Sequence, residues 1–423
     1  MPAERAAPTR LLFLLATLDG GGAQRTVLTL LPYLRARGMD ARVGLLAGRG
    51  ALDGEIEPAQ SVRARVAPGW MSYAPSPGLG RLLVGVPLVP FQQLDLLHQF
   101  RPHVVVSCTA AMNLAALLSM GLYGRHRVAW VLREGNNTRA ILESDAPGRL
   151  GRALRWRATE LVYRAPDRVL TISNGVADGL VRDFGVPRDR VHVVHNPIEV
   201  ARIRQRALEA DGVCRPFRFV VACGRLHRQK GFDLLLRAVA RLRDADLAVA
   251  ILGEGPERGA LEALGRELGL GTRLVMPGFV ANPWAWIARA STFVLPSRWE
   301  GFGSVLVEAM ACGTPVVAAD CDYGPREIVH DGKTGLLARP GDAASLAETI
   351  RRVLADPALG KDLAARALAR ALDFDAPSIG GRYADLVEDA AGRVRDPMRR
   401  GRSGPSGRQG GRVAPPTTTE SGA

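Results

Sequence analysis

The sequence lacks the features that define several common classes of protein. Its five cysteines form no C-x-x-C pair, and their odd number argues against a disulfide framework and against a zinc site. The most lipid-like segment, Leu79 to Leu97, is interrupted by Arg81, Pro87, Pro90 and Asp95, and it falls short of the roughly 20 apolar residues of a transmembrane helix. These absences predict a cytoplasmic protein with reduced thiols and no membrane span.

Chain length and net charge bear on the number of domains and on the kind of binding partner. The chain has 423 residues, 47% of them hydrophobic and 23% charged, which is too long for one ordinary core and predicts two domains. The formal net charge is +14, and the segment 397–423 contributes five arginines and one glutamate, which leaves about +10 on the body. A basic surface suits nucleic acid, anionic lipid or phosphorylated substrates, and charge alone does not choose among them. The composition of 397–423 predicts a disordered basic tail.

Short apolar runs alternate with longer amphipathic ones along most of the chain. The first run, Leu11 to Leu15, is too short for a signal peptide and predicts a buried strand. Strands that alternate with helices predict βαβ units and a mainly parallel sheet. The pattern stops near His195-Asn196-Pro197 and restarts at Phe217 after an arginine-rich stretch. We therefore predict two α/β domains whose strands end at a central cleft, the expected place for a nucleotide-bearing ligand.

A glycine run follows the first predicted strand. Gly20, Gly21 and Gly22 precede a helix, so their amides can meet an anion at its positive end. Arg25 stands where a dinucleotide fingerprint has its last glycine, and no G-K-S or G-K-T follows. The run is therefore either a phosphate-approach loop or a tight strand-to-helix turn.

Two cations lie in the loop after the first strand of the second domain. Arg225 and Lys230 are five residues apart, at the carboxyl end of that strand and ahead of an amphipathic helix. Such a pair can hold a diphosphate from two sides. Ordinary solvated loop charges would have the same pattern.

The segment "WEGFGSVLVEAMACG" contains two carboxylates in unusual surroundings. Val305 to Ala311 predicts a short apolar helix, with Ser304 as its cap and Gly313 as its stop. Glu308 lies inside this helix, and a carboxylate buried there without a partner would be costly. Its two oxygens would suit the vicinal hydroxyls of a ribose, although a structural salt bridge to an arginine is the alternative.

The first domain offers two further candidate surfaces. Arg133, Glu134 and Asn136 follow a predicted strand, and they are polar enough to line the acceptor side of the cleft. The segment Arg149 to Arg168 interleaves leucines and Trp156 with arginines, a pattern that suits an anionic membrane. An ordinary surface helix with core-facing leucines has the same pattern.

Several segments, taken in order along the chain, resemble one enzyme family. They are "DGGGAQRTVLTL", "RLHRQKGFDLLLRA", "GEGPERGALE", "VLPSRWEGFGSVLVEAMACGTPVVAAD" and "GPREIVHDGKTGLLA". Together they resemble glycosyltransferase family 4, whose members are retaining enzymes of the GT-B fold with two Rossmann-like domains facing a cleft. The family pattern of two glutamates separated by seven residues is met by Glu300 and Glu308.

The resemblance implies roles for individual residues. Arg225 and Lys230 would neutralise the donor diphosphate, and Glu300 would hold the transferred sugar as the third catalytic residue. Donor binding would fall to Gly278, Val280, Gly301, Phe302, Gly303, Ser304 and Glu308. The acceptor and phosphate loops would contain Gly21, Gly22, Arg25, Arg133, Glu134 and Asn136.

The resemblance also implies a division of the chain. Residues 1–196 would bind the acceptor, residues 197–375 would bind the nucleotide sugar, and the helix 376–396 would return to the first domain. The donor would be a nucleotide-diphosphate sugar, UDP-linked, used without a metal; the Asp-x-Asp spacing at Asp320 to Asp322 is treated as accidental. In retaining enzymes of this fold the donor phosphate is thought to deprotonate the acceptor hydroxyl, so no general base is required.

The resulting prediction is a cytoplasmic hexosyltransferase peripheral to the inner face of the cell membrane. It would transfer a sugar to a glycan or lipid-linked acceptor for surface polysaccharide or glycolipid synthesis, and no nucleic-acid partner is expected. Two alternatives stay open from the residues alone. One is a non-transferring relative such as a nucleotide-sugar epimerase, and the other is a basic lipid- or RNA-binding protein on an idle scaffold.

Overall fold

The computed structural model describes residues 7–19, 21–46, 50–65, 79–145, 148–209 and 218–395. Gly20 and the predicted tail at 397–423 lie outside these ranges. The described residues form two parallel β-sheets, one of seven strands and one of six, each packed between helices. The prediction of an α/β chain with two doubly wound sheets is confirmed.

The first sheet is built by residues up to Val193, with the order β3-β2-β1-β4-β5-β6-β7. Its strands are β1 (Arg10–Leu15), β2 (Asp40–Leu45), β3 (Ser61–Arg63), β4 (Val104–Ser107), β5 (Ala129–Glu134), β6 (Arg168–Thr171) and β7 (Val191–Val193). Its helices are α1 (Gly22–Ala36), α2 (Leu79–Phe100), α3 (Ala110–Tyr123), α4 (Thr138–Asp145), α5 (Gly148–Arg164) and α6 (Asn174–Phe184).

The second sheet has the order β10-β9-β8-β11-β12-β13. Its strands are β8 (Arg218–Cys223), β9 (Leu247–Leu252), β10 (Leu274–Gly278), β11 (Thr292–Leu295), β12 (Val316–Ala319) and β13 (Leu336–Ala338). The helices around it are α7 (Val200–Ala207), α8 (Phe232–Leu242), α9 (Arg258–Glu267), α10 (Pro283–Arg289), α11 (Ser304–Ala311), α12 (Pro325–Ile328), α13 (Ala343–Ala355) and α14 (Pro357–Ala371).

Both sheets are parallel, and several of their strands are buried along their whole length. Every residue of β9 is buried, as is every residue of β4, β11 and β12. A strand covered by helices on both faces needs such a continuous apolar run, whereas a half-exposed antiparallel strand would alternate. The apolar runs recognised in the sequence therefore became the central strands.

The last helix connects the two halves. α15 (Ala376–Arg395) begins beside the second sheet and packs against β1 and α1 of the first. Tyr383 is buried in the core of the first sheet, with its ring 5.9 Å from that of Phe13. Where the chain crosses between the halves, Ile198 and Asp375 form a parallel bridge, so the two crossings lie side by side.

One expectation about α11 was wrong, and for α5 the structure excludes the alternative of core-facing leucines. Gly303, not Ser304, is the N-cap of α11, because it adopts φ +92°, a left-handed conformation that favours glycine. On α5 the leucines Leu150, Leu154 and Leu161 do not face the core and are 64–75% exposed. Trp156 faces inward instead, and its ring lies 4.8 Å from that of Phe184.

Within the described part of the chain, no helix has both the length and the apolarity that a bilayer crossing requires.

Candidate active site

The sheet order brings together two loops that are far apart in the sequence. Arg225 and Lys230 follow β8, and Glu300 follows β11. β8 and β11 are neighbours at the point where the strand order of the second sheet reverses. The carboxyl ends of strands at such a point leave a crevice, which is the usual position of a ligand in open α/β sheets.

Lys230 and the buried Glu300 form a partly buried ion pair in this crevice. The Nζ atom of Lys230 donates to Oε1 of Glu300 at 2.6 Å, and the Oγ atom of Ser297 donates to the same oxygen at 2.7 Å. Glu300 is only 5% exposed, so its charge depends on these partners. An ammonium group has three donors, and two on Lys230 make no bond to a described residue.

Arg225 provides a second positive charge next to this pair. It is exposed, and it makes no side-chain hydrogen bond or ion pair with any residue that the structure describes. The stem of Lys230 runs along the same loop, since a Cβ added to Gly224 would lie 3.4 Å from its Cε. The loop can approach β11 because of Gly231, where φ is +64° and a Cβ would come within 2.1 Å of the carbonyl oxygen of Pro296.

The amino end of α11 faces the same region. No side chain caps this helix, and the amides of Ser304 and Val305 donate to no described residue. Such amides at a helix start form a favourable environment for an anion. Phe302, 1% exposed, anchors the preceding turn by packing against the rings of His195 and Phe374 at 5.2 and 5.4 Å.

Glu308 has a partner that the sequence analysis did not anticipate. The indole Nε1 of Trp284, on α10, donates to its Oε2 at 2.9 Å. Burial raises the pKa of Glu308 above its usual 4.5, while the Trp284 donor and the positive charge of Arg25 act in the opposite direction. No described arginine forms a salt bridge with it, and its Oε1 accepts no bond from the described residues.

The end of β10 and the loop after it hold the two residues expected near the nucleotide base. Gly278 has φ +88°, and its carbonyl accepts from the amide of Gly253 at 2.8 Å. Val280 is partly buried and packs on the core of the second sheet. This loop leads directly into α10, so it lies on the same side of the sheet as Trp284 and Glu308.

The polar candidates of the first domain are engaged in other contacts. Arg133 is buried, and its Nη2 donates to Oδ1 of Asn196 at 2.6 Å. The Nδ2 of Asn196 in turn donates to Oγ of Ser304 at 3.0 Å. Arg133 therefore acts through Asn196 to connect the first domain to the start of α11.

Glu134 is enclosed by its own loop. Its Oε1 accepts from the amides of Gly135 and Asn136 at 2.9 Å each, and the hydroxyl of Tyr163 donates to Oε2 at 2.5 Å. Burial raises the pKa of this carboxyl, and the three donors oppose that rise. Asn136 caps the next amide, that of Asn137, at 2.9 Å.

The glycine run begins α1, but the nearby Arg25 forms an ion pair with Glu55 and does not point to the glycines' amides. Gly21 is the N-cap of α1 and Gly22 its first residue, with no side-chain cap on the amides. The Nη1 of Arg25 donates to both oxygens of Glu55 at 3.0 Å. A Cβ on Gly22 would meet nothing within 4 Å, so the turn has open space beside it.

Comparison with known proteins identifies the family. The model of the family "Glycosyl transferases group 1" matches residues 215–370, and the model of "Glycosyltransferase Family 4" matches residues 20–202. The chain belongs to the family 4 glycosyltransferases. The resemblance inferred from the motifs is thereby confirmed.

Two curated relatives of this family 4 chain are each 35% identical to it over part of its length. One is the N-acetylgalactosamine-N,N'-diacetylbacillosaminyl-diphospho-undecaprenol 4-alpha-N-acetylgalactosaminyltransferase of Campylobacter jejuni, 35% identical over 215 residues, or 51% of this chain and 58% of the relative. The other is D-inositol 3-phosphate glycosyltransferase 1 of Catenulispora acidiphila, 35% identical over 255 residues, or 55% and 60%. The chain thus spans about three fifths of the length of these relatives.

Solved structures agree on the fold. The Anabaena protein HepE, crystallised in complex with UDP and glucose, superimposes with a TM-score of 0.71 at 22% sequence identity. The match covers 90% of this chain and all of that one. The family 4 chain therefore has the GT-B fold, as expected.

A group of contacts closes the two domains of the family 4 chain against each other. Glu327, in α12, accepts from the amides of Asn174 and Gly175 at 2.8 Å each, at the start of α6. The Oγ of Ser173 donates to the carbonyl of Gly301 at 2.6 Å. A side chain on Gly301 would collide with Gly135, since its Cβ would lie 2.4 Å from that carbonyl oxygen.

Three residues of this site were not among the sequence candidates: Asn196, Trp284 and Glu327. Asn196 had been used only to mark the domain junction, although its position after β7 at the carboxyl edge was a usable signal. Trp284 and Glu327 gave no local signal, because their partners lie 24 and about 150 positions away.

The Asp-x-Asp spacing at Asp320 to Asp322 does not gather further ligands. The carboxylate of Asp320 pairs with Arg326. Across the described ranges, no group of three or more His, Cys, Asp or Glu side chains is placed to hold a metal ion.

Proposed function

We propose that this chain is a retaining glycosyltransferase that uses a nucleotide-diphosphate sugar, UDP-linked, as its donor. The observation that carries the proposal is the pairing of Lys230 with Glu300 at 2.6 Å, next to the exposed Arg225 and the uncapped start of α11. Two cations and a helix terminus at one crevice form a site for a dianionic group.

Departure of a nucleoside diphosphate from the sugar places negative charge on the diphosphate. Arg225 and Lys230 stabilise this charge as it develops, and the amides of Ser304 and Val305 add their dipoles. Fixed groups of this kind contribute to the rate because they need no reorganisation during the reaction. The acceptor hydroxyl passes its proton to the donor phosphate, which requires no protein base.

Glu300 has two tasks in this scheme. Its Oε1 fixes Lys230, and its Oε2, which accepts no bond from a described side chain, is available to hydroxyls of the transferred sugar. Glu308 accepts the ribose hydroxyls through its Oε1, while Trp284 holds Oε2 in place. Gly278 and Val280 border the base.

The acceptor is a glycan or a lipid-linked sugar, bound by the first domain in the synthesis of surface polysaccharide or glycolipid. Asn136 and the amino end of α1 face this side of the cleft in the proposal, whereas Arg133 and Glu134 shape the loop that holds Asn136. The polyprenyl-linked substrate named for the Campylobacter relative supports an acceptor of this class.

The surface of the first domain supports binding to an anionic membrane. α3 and α5 pack side by side, and each exposes three leucines on one face: Leu114, Leu118 and Leu122 on α3, and Leu150, Leu154 and Leu161 on α5. These leucines are 50–75% exposed. Arg149, Arg152 and Arg157 on α5 are also exposed, so apolar insertion and attraction to anionic headgroups can act together.

The transfer proposal is tested with purified protein, a panel of nucleotide sugars and lipid-linked acceptors. Mass spectrometry should detect an acceptor heavier by one sugar together with release of the nucleoside diphosphate, and NMR should show that the anomeric configuration of the donor is kept. Conversion of the nucleotide sugar without any acceptor would instead support an epimerase. Binding of lipid or RNA that survives loss of both Glu300 and Lys230, without turnover, would support an idle scaffold.

The membrane proposal is tested by sedimentation with vesicles. The chain should sediment with anionic vesicles at low salt, stay in solution with neutral ones, and be released at high salt because screening shortens the attraction. A chain ending at Asp396 removes the five arginines of 397–423 as a confounder. In that background, Arg152, Arg155 and Arg157 changed to glutamine should reduce binding, and unchanged sedimentation would exclude α5 as the docking element.

A further inference from the structure

A cavity of about 550 Å³ opens on the first domain, away from the cleft. It lies at the amino ends of β5, β6 and β7, since Ala129 and Arg168 begin β5 and β6, and Arg190 precedes β7. The candidate active site lies at the carboxyl ends of these strands. The sheet therefore separates the two sites, and none of the roles above uses this cavity.

Arginines dominate the lining. Five of them line it, at positions 125, 164, 168, 190 and 393, against two aspartates, Asp167 and Asp189. The carboxylate of Asp167 is already used, because it accepts from the amide of Trp130 at 2.9 Å. Outside the lining, Asp389 pairs with Arg168 at 3.3 Å and Glu160 pairs with Arg164 at 3.0 Å. The five arginines therefore outnumber these four carboxylates by one.

Three of these arginines donate to main-chain carbonyls. Arg125 donates to the carbonyl of Ala165, Arg190 to that of Arg164 at 3.4 Å, and Arg168 to that of Asp167 at 3.0 Å. A carbonyl orients a guanidinium group without cancelling its charge. Arg190, which forms no ion pair with a described carboxylate, is thus positioned in advance, and its charge remains available to a ligand.

Arg168 is the most buried member of the group. It is 6% exposed, and its Nε–H has no hydrogen-bond acceptor among the described residues. Buried donors are nearly always satisfied in folded proteins, so this guanidinium donor requires either a water molecule or an anion from outside the chain. The nearby His192 also has an unsatisfied buried Nε2.

We propose that this cavity is a second anion site that binds a phosphate group. Arginine side chains match the oxygens of phosphate in pairs, and the volume exceeds that of a free ion, so a phosphate ester also fits. Arg125 follows the end of α3 and Arg164 is the last residue of α5, next to the exposed Leu122 and Leu161. The phosphate can therefore come from a free anion or from a lipid headgroup.

A bound phosphate would also tie α15 to the first sheet. Ala390, Arg393 and Val394 of that helix line the cavity, and Arg393 is 3.7 Å from Asp389. Since α15 connects the two halves of the chain, occupancy of the cavity should stabilise the folded protein.

The test uses the full chain with Arg225→Ala and Lys230→Ala as background, which removes phosphate binding in the cleft. Inorganic phosphate is titrated by calorimetry and by thermal unfolding. We expect one binding site and a higher Tm, and at least a tenfold loss of affinity when Arg190→Gln and Arg393→Gln are added. Arg237→Gln, an exposed arginine of α8 outside the cavity, is the matched control and should bind like the background.

A second arm separates the two sources of phosphate. Vesicles of phosphatidylcholine with phosphatidic acid are compared with vesicles of phosphatidylcholine alone, using the same variants. Binding of inorganic phosphate that depends on Arg190 and Arg393 supports a site for free anions, and vesicle binding alone with the same dependence supports a headgroup site. Equal binding by the double variant and the Arg237→Gln control in both arms would overturn the proposal.

Discussion

The two walls of the cleft contain similar numbers of polar candidates but use them differently. On the wall of the second domain, Arg225 has no described partner, and Lys230, Glu300 and Glu308 each keep hydrogen-bonding capacity after their internal contacts. On the wall of the first domain, the side chains of Arg133 and Glu134 are consumed by contacts within the protein.

This difference indicates how the two walls bind. A diphosphate and a ribose are the same in every reaction of a nucleotide-sugar enzyme, so the residues that hold them can be charged and prepositioned. Under the proposed function an acceptor surface instead needs a shaped loop, and buried polar groups such as Glu134 would maintain that shape in this chain. A polar residue near a cleft is therefore a binding residue only if its hydrogen-bonding capacity is left open.

The largest effect is expected on turnover when a cation of the second domain with free hydrogen-bonding capacity is removed. Lys230→Ala should lower turnover by at least tenfold and by up to roughly 10³-fold, because a donor aimed at developing charge is lost. Steady-state transfer rates measure the effect. Lys361→Ala, on the exposed side of α14, is the control for loss of a lysine and should keep wild-type turnover.

Since the same substitution leaves Glu300 buried without its ammonium partner, folding must be checked by circular dichroism. A folded Lys230→Ala protein with wild-type turnover would remove the main distinction between the two walls.

The next effect concerns Glu308 and its dependence on pH. Burial raises the pKa of this carboxyl, so it becomes protonated at a higher pH than an ordinary carboxyl with a pKa of 4.5. Only the ionised form accepts two ribose hydroxyls freely, so affinity for UDP should fall as the pH is lowered through the raised pKa. Calorimetric titration with UDP across pH measures this dependence.

Glu308→Gln should weaken UDP binding by about 1.5–3 kcal/mol, the range for a hydrogen bond to a charged group, and should flatten the pH profile. Asp331→Asn, an exposed carboxylate, is the control. A variant that binds UDP like the wild type with an unchanged pH profile would assign Glu308 to structure alone.

A smaller and different effect is expected at Glu134. Tyr163→Phe removes the donor to Oε2 and should lower the free energy of unfolding by about 1–3 kcal/mol, because a buried acceptor is left unsatisfied. Turnover per folded molecule should stay close to wild type. Chemical denaturation and active-site titration together separate stability from activity.

A loss of turnover without a loss of stability in Tyr163→Phe would place Glu134 among the binding residues. The contrast between the two walls would then be weaker than the contacts indicate.

The smallest effect is expected for the ion pair of Arg25 and Glu55. Both side chains are more than a third exposed, at 49% and 41%, and such pairs contribute about 0–1 kcal/mol. Glu55→Gln should therefore change the Tm very little. Arg25→Gln should do the same to the Tm, but it should lower the affinity for UDP slightly, because Arg25 acts on the charge of Glu308.

Equal UDP affinities in Glu55→Gln and Arg25→Gln would show that the charge of Arg25 does not contribute to the donor site. A lower UDP affinity in Arg25→Gln alone would show that a charge of the first domain also contributes to UDP binding.

The sequence was most informative where the chemistry is local. The pair Arg225 and Lys230, the glycines before α11 and each strand or helix occupy a short window, so the sequence alone placed them on their loops and elements. The break between α13 and α14 is equally local, since Asp356 caps the second helix by accepting from two of its amides.

Tertiary structure was needed wherever a polar group had to find its partner. The sequence by itself determined two parallel sheets and a cationic loop at a strand end, because apolar continuity and glycine or arginine chemistry act over a few residues. Only the fold decided that Trp284 satisfies Glu308, that Asn196 links Arg133 to Ser304, and that Trp156 rather than the leucines of α5 faces inward. The physical reason is that a buried hydrogen bond or a packed ring depends on what the neighbouring elements bring to it, and those elements lie far away along the chain.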